Sequence, residues 1–374
     1  MLLNVTSKGF RDLFSFFKTT WGSKPQSNRI DLTSFQKSFN IEFRKYLNAK
    51  ALKFKMITDE SLVQKTIDHY LELVNGGGKR IRPYVCSLAY QTEGGIDHEA
   101  IMKMGIGLET FHAFALIHDD IIDAGKERHG MPTIHQFVES ILADCDKGDK
   151  RRVSEGMALL AGDLAFSWAS ELVVQAGNAE VYRLYFSMIE ETVAGQALDV
   201  SLMTKQRVES AVLLKKNELK TARYSFVNPM LIGAALAGSH VHDELYEKLG
   251  MCLGQAFQIQ DDLLDVSSDS SATGKTSMLD IQDGQHTCIT QYVFEHGTEH
   301  EQDILSSLFC KPVDDSSRRV LSSLFESSGS IRHAETEISL LFSEARRLVE
   351  KSDMKPDVKK LWFALMQLLD KRKS

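Results

Sequence analysis

Apolar positions along this chain recur at helical spacing, and runs that alternate like strands are scarce. Only 6 prolines interrupt 374 residues, and the pattern predicts an all-α protein. FHAFALI (111–117) and AFQI (256–259) are apolar stretches that each run directly into acidic residues. Two further helical stretches, ETEISLLFSEARRLVEK and KKLWFALMQLLDKRK, close the chain. Near the start, Phe10, Leu13, Phe14, Phe17 and Trp21 also follow helical spacing. KPQSNR (24–29) separates that segment, residues 1–30, from a main domain expected over 31–374. DCDKGDKRR (144–152) and SSGS (327–330) read as inter-helix loops. VSSDSSATGKTS (266–277) reads as a polar loop suited to closing over a bound anion.

The two apolar runs end in clusters of the same form, Asp119-Asp120-Ile121-Ile122-Asp123 and Asp261-Asp262-Leu263-Leu264-Asp265. Positions i and i+4 share a helix face, so Asp119 pairs with Asp123 and Asp261 with Asp265. One such pair would suit a solvated helix face. The apolar runs before both clusters argue against that here. Two pairs facing each other across a cavity repel and resist desolvation. Hard divalent cations and an anionic substrate would turn the cavity into a binding site. Mg²⁺ commonly takes one or two protein carboxylates and completes its shell with water and phosphate oxygens.

Basic residues extend this reading. GGGKRIRP (76–83) places Lys79, Arg80 and Arg82 in a glycine-bounded turn before a helix. Glycine lets backbone approach an anion closely, and a helix start suits phosphate. Lys126 and Arg128 follow the first cluster, and Lys220 and Lys275 come later. Separated basic sites and two acidic clusters are what a carrier of two diphosphates and several metal ions needs.

These residues resemble the trans-isoprenyl diphosphate synthases, a family that includes farnesyl and geranylgeranyl diphosphate synthases. The motifs run in family order: GGKRIRP (77–83), ETFHAFALIHDDIID (109–123), RHGMPTIH (128–135), AGDLAFSWA (161–169), GQALD (195–199), KTARYSFVNP (220–229), FQIQDDLLDV (257–266) and GK (274–275). Together they cover about residues 60 to 295.

The resemblance implies an isoprenoid-synthase-type helical bundle around a deep central cavity, usually as a homodimer. It implies head-to-tail condensation of an allylic diphosphate with isopentenyl diphosphate. Asp119, Asp123 and Asp261 then become ligands of Mg²⁺ ions, expected to number three and to be replaceable by Mn²⁺. Asp120, Asp262 and Asp265 complete the acidic lining. Arg128, Lys220 and Lys275 contact the allylic diphosphate. Lys79, Arg82 and His112 hold isopentenyl diphosphate, and Thr221, Gln196 and Gln258 line the reaction centre. Diphosphate departure leaves an allylic carbocation, which the isopentenyl double bond attacks before a proton is lost. Metal ions and cationic side chains stabilise the leaving charge, and no protein nucleophile is required.

Two residues depart from the family pattern. His129 stands where a second arginine is usual, and Gln285 where a lysine is usual. Histidine is largely neutral at pH 7 and glutamine always is, so isopentenyl diphosphate binding is expected to weaken first. Chain length also has a sequence correlate. Phe114 and Ala115 precede Asp119 by five and four residues, roughly 6–8 Å along a helix. A phenyl floor with a small residue above it resembles geranylgeranyl-forming members, hence a C20 product, with C15 or longer products as alternatives.

Net charge is −7, which excludes a general nucleic-acid binder. The five cysteines, Cys86, Cys145, Cys252, Cys288 and Cys310, are scattered without CxxC spacing and suggest a reducing compartment. His112, His118, His129 and His135 lack HExxH spacing and read as diphosphate donors or core polar groups. No run of 18 consecutive apolar residues suggests a transmembrane span. Residues 1–30 hold five Lys or Arg and one acid, so organelle targeting or membrane-surface contact is the alternative to a cytoplasmic location. Two other function classes remain open: a terpene cyclase, against which GGKRIRP and His112 speak, and a non-catalytic partner subunit, against which the intact aspartate triplets speak.

Overall fold

The computed structural model describes residues 32–144, 148–267 and 278–371. Four helices open the fold: α1 (Leu32–Lys55), α2 (Ser61–Asn75), α3 (Ile81–Thr92) and α4 (His98–Ile122). Asp97 caps α4, its carboxylate accepting from the backbone N–H groups of Glu99 and Ala100. A hairpin of β1 (Glu127–Arg128) and β2 (Met131–Pro132) follows. Its turn residues, His129 and Gly130, both have positive φ (53° and 75°), the geometry of a tight two-residue hairpin turn. Next come α5 (Ile134–Ile141), α6 (Lys150–Ala176), α7 (Ala179–Leu202) and α8 (Ser210–Asn217). The chain then widens into a ten-residue π-helical segment, Glu218–Val227, before α9 (Asn228–Leu236) and α10 (Asp243–Ser267). Six helices finish it: α11 (Leu279–Gln282), α12 (Cys288–His296), α13 (Glu299–Leu308), α14 (Asp315–Ser327), α15 (Ser330–Lys351) and α16 (Pro356–Asp370). The all-α expectation holds, the hairpin being the one sheet among the described residues.

One apolar core runs from Leu32 in α1 to Leu369 in α16, and a smaller one joins α11 to α14 with the start of α15. α4 lies along α6 at the centre, and α10 lies against both the π-helical segment and α15. Glycines set these distances. A Cβ on Gly195 of α7 would meet the Lys220 backbone nitrogen at 2.5 Å, and one on Gly254 of α10 would meet Ala222 Cα at 2.2 Å. The π-helical segment is thus clamped between two helices at backbone contact, which a larger residue would push apart. α4 and α6 are also long and apolar enough to cross a membrane, although neither contains 18 consecutive apolar residues. In the fold they pack on each other, and about half of α4 is buried. The amphipathic segment expected in residues 1–30 lies outside the described residues, as do Lys275 and nearly all of the loop that carries it.

Candidate active site

Two adjoining cavities occupy the centre. The larger, about 630 Å³, is lined by Asp119 and Phe114 of α4, Gln196 of α7, Lys220, Thr221 and Tyr224 of the π-helical segment, and Gln258 and Asp261 of α10. The smaller, about 420 Å³, is lined by Lys79, Arg80 and Arg82 around the start of α3, by Arg128 and His129 of the hairpin, and by Glu109 of α4. Arg82, His112, Leu116, Ser225 and Phe257 line both. The first cavity thus carries Asp119 and Asp261 with Lys220 and Arg82, Asp123 and Asp265 standing off its lining, and the second is predominantly basic, with Glu109 as its acid.

The acidic site forms where α4 and α10 end. Asp119 lies in the last turn of α4, and Asp123 is its C-cap. Burial pushes the Asp123 carboxyl up to about 6, with further upward pressure from Asp119. Burial likewise raises Asp265 to about 6, although the Leu279 and Asp280 backbone N–H groups donate to it. Asp280, at the start of α11, stands well above the carboxylate range through burial and then the Asp265 charge. These carboxyls resist ionising together, as groups awaiting cations would. Among the described residues no three metal-binding side chains converge on one point. Carboxylates facing across a cavity suit Mg²⁺, whose other ligands are water and phosphate oxygens, better than a protein-only cage.

The second aspartate of each cluster faces away from this centre. Asp120, expected in the acidic lining, is buried and accepts from Arg128, with Nη2 to Oδ1 at 2.6 Å and Nε to both oxygens at 3.0 Å. Asp262, also expected there, accepts from Gln258 Nε2 at 2.8 Å and from the Cys288 backbone N–H at 3.1 Å. Gln258 in turn accepts from Thr221 Oγ1 at 2.6 Å. Asp120 therefore orients Arg128, and Asp262 orients Gln258 and Thr221. Gln196 Nε2 is buried with no hydrogen-bond partner and belongs to a residue lining the larger cavity, so it is a donor suited to a bound anion.

In the smaller cavity, Gly78 has φ 113°, a conformation only glycine adopts easily, and it turns the chain into α3. Arg80 is the anchor of this loop. Its Nη1 donates to Glu109 Oε1 at 2.6 Å, its Nε to Asn40 Oδ1 at 2.9 Å, and its Nη2 to the Val74 carbonyl at 3.2 Å. Arg82 lies over the Tyr224 ring, 4.2 Å from its centroid, and donates to Ser225 Oγ at 2.8 Å. His112 Nδ1 is 2.9 Å from the Tyr224 hydroxyl oxygen. Burial, then the charge of Arg82, drives the His112 pKa well below its usual value, so the ring is neutral. The His129 ring lies against Gly77, where an added Cβ would come within 2.9 Å of Nδ1.

Phe114 and Ala115 both line the larger cavity. Phe111, Phe166 and His118 pack around Phe114, with ring centroids 5.3, 5.3 and 4.5 Å away, and Phe111 and His118 also line the cavity. The motif strings left Asp199 and Lys216 without roles. Lys220 donates to Asp199 Oδ2 at 2.6 Å, and Lys216 pairs with Asp199 Oδ1 at 3.1 Å. The spacing carried a signal, because Lys216 precedes Lys220 by four residues and so shares its face. Tyr224 and Asp280 were likewise missed as individual residues, although Tyr224 stands inside KTARYSFVNP.

Residues 61–326 match the polyprenyl synthetase family. A short chain isoprenyl diphosphate synthase of Methanothermobacter thermautotrophicus is 31% identical over 258 residues, 67% of this chain and 73% of that one. A geranylgeranyl diphosphate synthase of Saccharolobus solfataricus is 32% identical over 280 residues, 72% and 75% of the two chains. The crystal structure of geranylgeranyl pyrophosphate synthase from Corynebacterium glutamicum, complexed with isoprenyl diphosphate and magnesium, superposes with a TM-score of 0.85. That match is at 27% identity and covers 92% of this chain and 100% of that one.

Proposed function

The chain belongs to the polyprenyl synthetase family, and from that premise we propose how its two cavities divide the work of a trans-prenyltransferase. The enzyme joins an allylic diphosphate to isopentenyl diphosphate. The allylic diphosphate occupies the acidic end of the larger cavity, with its tail toward Phe114. Isopentenyl diphosphate occupies the smaller cavity among Lys79, Arg82 and His129. The carrying observation is the shared wall of Arg82, His112, Ser225 and Phe257, which makes the two sites neighbours.

Asp119, Asp123 and Asp261 would hold Mg²⁺, three ions in all with Mn²⁺ as a substitute, and their charge offsets that of the leaving diphosphate. Lys220 adds a cationic contact, and Lys275 is assigned to the same diphosphate by its motif; Arg128, expected there too, lines the smaller cavity instead and reaches the acidic centre through its charge on Asp119. Gln196 donates through its unpartnered amide. As the allylic carbon–oxygen bond breaks, the isopentenyl double bond forms the new carbon–carbon bond, and the released proton passes to the departing diphosphate. Thr221 and Gln258, held in register by Asp262, line the reacting centre. Neutral His112 adds no positive charge beside the forming cation.

We assign a C20 product, because Phe114 lines the cavity within a cluster of aromatic rings and carries the aromatic-then-small pattern with Ala115. A homodimer is supported by two exposed apolar stripes at multiples of seven residues: Val153, Leu160 and Val174 on α6, and Phe186, Val193 and Val200 on α7. Val193 and Val200 also line the larger cavity, so a second copy seated there would close its wall. Sedimentation should give twice the chain mass, and Leu160→Glu with Val193→Glu should give monomers. A cytoplasmic location accords with the free thiols of Cys86, Cys252, Cys288 and Cys310.

The deciding experiment incubates the purified chain with Mg²⁺, isopentenyl diphosphate and each allylic diphosphate, and identifies the products. Asp119→Ala or Asp261→Ala should lower turnover by about 10²–10³, the usual cost of losing a strong charge-stabilising contact. Full turnover in either variant, or in excess chelator, would refute the metal assignment. Ionisation of the allylic substrate without isopentenyl transfer would point to a cyclase.

A further inference from the structure

Lys216 has no part in the mechanism above, yet it is a buried ammonium beside the acidic centre. Its side chain is 7% exposed, against 5% for Asp199 and 25% for Lys220. The three form a fork. Asp199 presents Oδ2 to Lys220 at 2.6 Å and Oδ1 to Lys216 at 3.1 Å. Lys216 Nζ also donates to the His286 carbonyl at 2.9 Å, which ties it to the backbone beside Gln285. Lys220 lines the larger cavity and feels Asp119 and Asp123 as well as Asp199. It is the cavity-facing arm of the fork, and Lys216 is the buried one.

The physical difficulty is Asp199. If Lys220 turns from Asp199 to a diphosphate oxygen, a carboxylate almost without solvent loses its closer cation. An unpaired buried charge is strongly unfavourable, so with a single partner the pair would stay closed. Lys216 removes the difficulty, because it already occupies the other oxygen and is anchored independently of the ligand.

We propose that Lys216 is a positioning residue that retains Asp199 and so releases Lys220 to the allylic diphosphate. The fork also brings a lysine to the neighbourhood of Gln285, where the family usually carries one. The inference rests on the reading that Lys220 faces the allylic diphosphate.

The probe is inorganic pyrophosphate with Mg²⁺, titrated calorimetrically into the full chain, alongside steady-state kinetics. Lys216→Met keeps the side-chain bulk and leaves the Lys220–Asp199 pair intact, so the free protein should fold and melt near wild type. Its pyrophosphate affinity should fall about tenfold, the effect of withholding one charge-assisted contact. KM for the allylic substrate should rise in parallel, and KM for isopentenyl diphosphate should change less than about twofold. Lys216→Arg should bind like wild type. Adding Asp199→Asn to Lys216→Met removes the charge that detains Lys220 and should restore affinity to within about threefold of wild type. Wild-type affinity in Lys216→Met, or failure of the double variant to recover, overturns the proposal and leaves Lys216 a packing residue. If the affinities follow the expected order but no allylic diphosphate is elongated, the prenyltransferase reading fails and the fork stands.

Discussion

At the scale of single residues, His129 is where the proposed isopentenyl diphosphate site can be tested. It occupies a hairpin turn at φ 53° with its ring against Gly77, and it lines the cavity with Lys79 and Arg82. The turn fixes the backbone, so a longer unbranched side chain can follow the same direction into the cavity. His129→Arg supplies a permanent, bidentate phosphate donor. KM for isopentenyl diphosphate should fall about fivefold, the equivalent of roughly 1 kcal/mol. An unchanged or higher KM means that residue 129 does not meet this substrate. Arg128 beside it behaves differently. Asp120 binds it along the guanidinium edge, so Arg128 is held in place before any substrate arrives, and Asp120→Ala would leave it without that guide.

At the scale of elements, α4 joins both ends of the proposed chemistry. Its last turn carries Asp119, and one turn earlier Phe114 and Ala115 face the larger cavity. The helix therefore fixes the distance between diphosphate and floor at 1.5 Å per residue. Phe114→Ala removes a ring comparable in bulk to one isoprene unit. The product should lengthen by at least one unit, while Ala115→Phe should shorten it. Phe111 and Phe166, each 5.3 Å from the Phe114 ring, would border the opened space. A fully buried phenylalanine lost to alanine costs about 3–5 kcal/mol, and Phe114 is only partly buried, so the cost should be lower. Product length and melting temperature measured on the same variants separate the two roles. Unaltered products with a large loss of stability would make Phe114 an ordinary core residue. The π-helical segment is the other decisive element. Its wide turn puts Lys220, Thr221, Tyr224 and Ser225 on the cavities, a placement in keeping with the frequent use of π-turns at functional sites.

At the scale of the whole molecule, bringing the ends of α4, α10 and α11 together concentrates carboxyls that repel. Asp123 is raised by burial, and next by Asp119, from 3.8 to about 6. Between about pH 4 and 6 the folded chain then binds more protons than the unfolded chain. Stability from this group therefore falls as pH rises through that window, and the loss is complete above it. Asp123→Asn removes the group. Without metal, the variant should melt about 1 °C above wild type at pH 7.5, the shift that roughly 1 kcal/mol gives in a chain of this size. At pH 5 the advantage should shrink, because wild-type Asp123 is then largely protonated. Mg²⁺ with pyrophosphate should stabilise wild type more than the variant at pH 7.5. A difference between the two proteins that does not change with pH would contradict the assignment.

What the sequence determined by itself was local. Helical periodicity predicted the all-α fold, and i, i+4 spacing put Asp119 with Asp123 and Asp261 with Asp265 on shared faces. The ordered motifs from GGKRIRP to FQIQDDLLDV led to the family. A helix also turns about 100° per residue, so Asp120 and Asp262 were bound to diverge from their neighbours, yet nothing local said what they would meet. Tertiary structure decided that, because Arg128 reaches Asp120 only through the hairpin, and the Cys288 N–H reaches Asp262 from 26 positions away. The same holds for Arg80 with Glu109 and for Lys216 with the His286 carbonyl, 29 and 70 positions apart. KNELKTARYSFV has the composition of an ordinary helix, and its π geometry coincides with the backbone contacts that Gly195 and Gly254 permit from two other helices. Contacts between distant segments depend on how helices pack, and packing distances are set by side chains that no local pattern brings together.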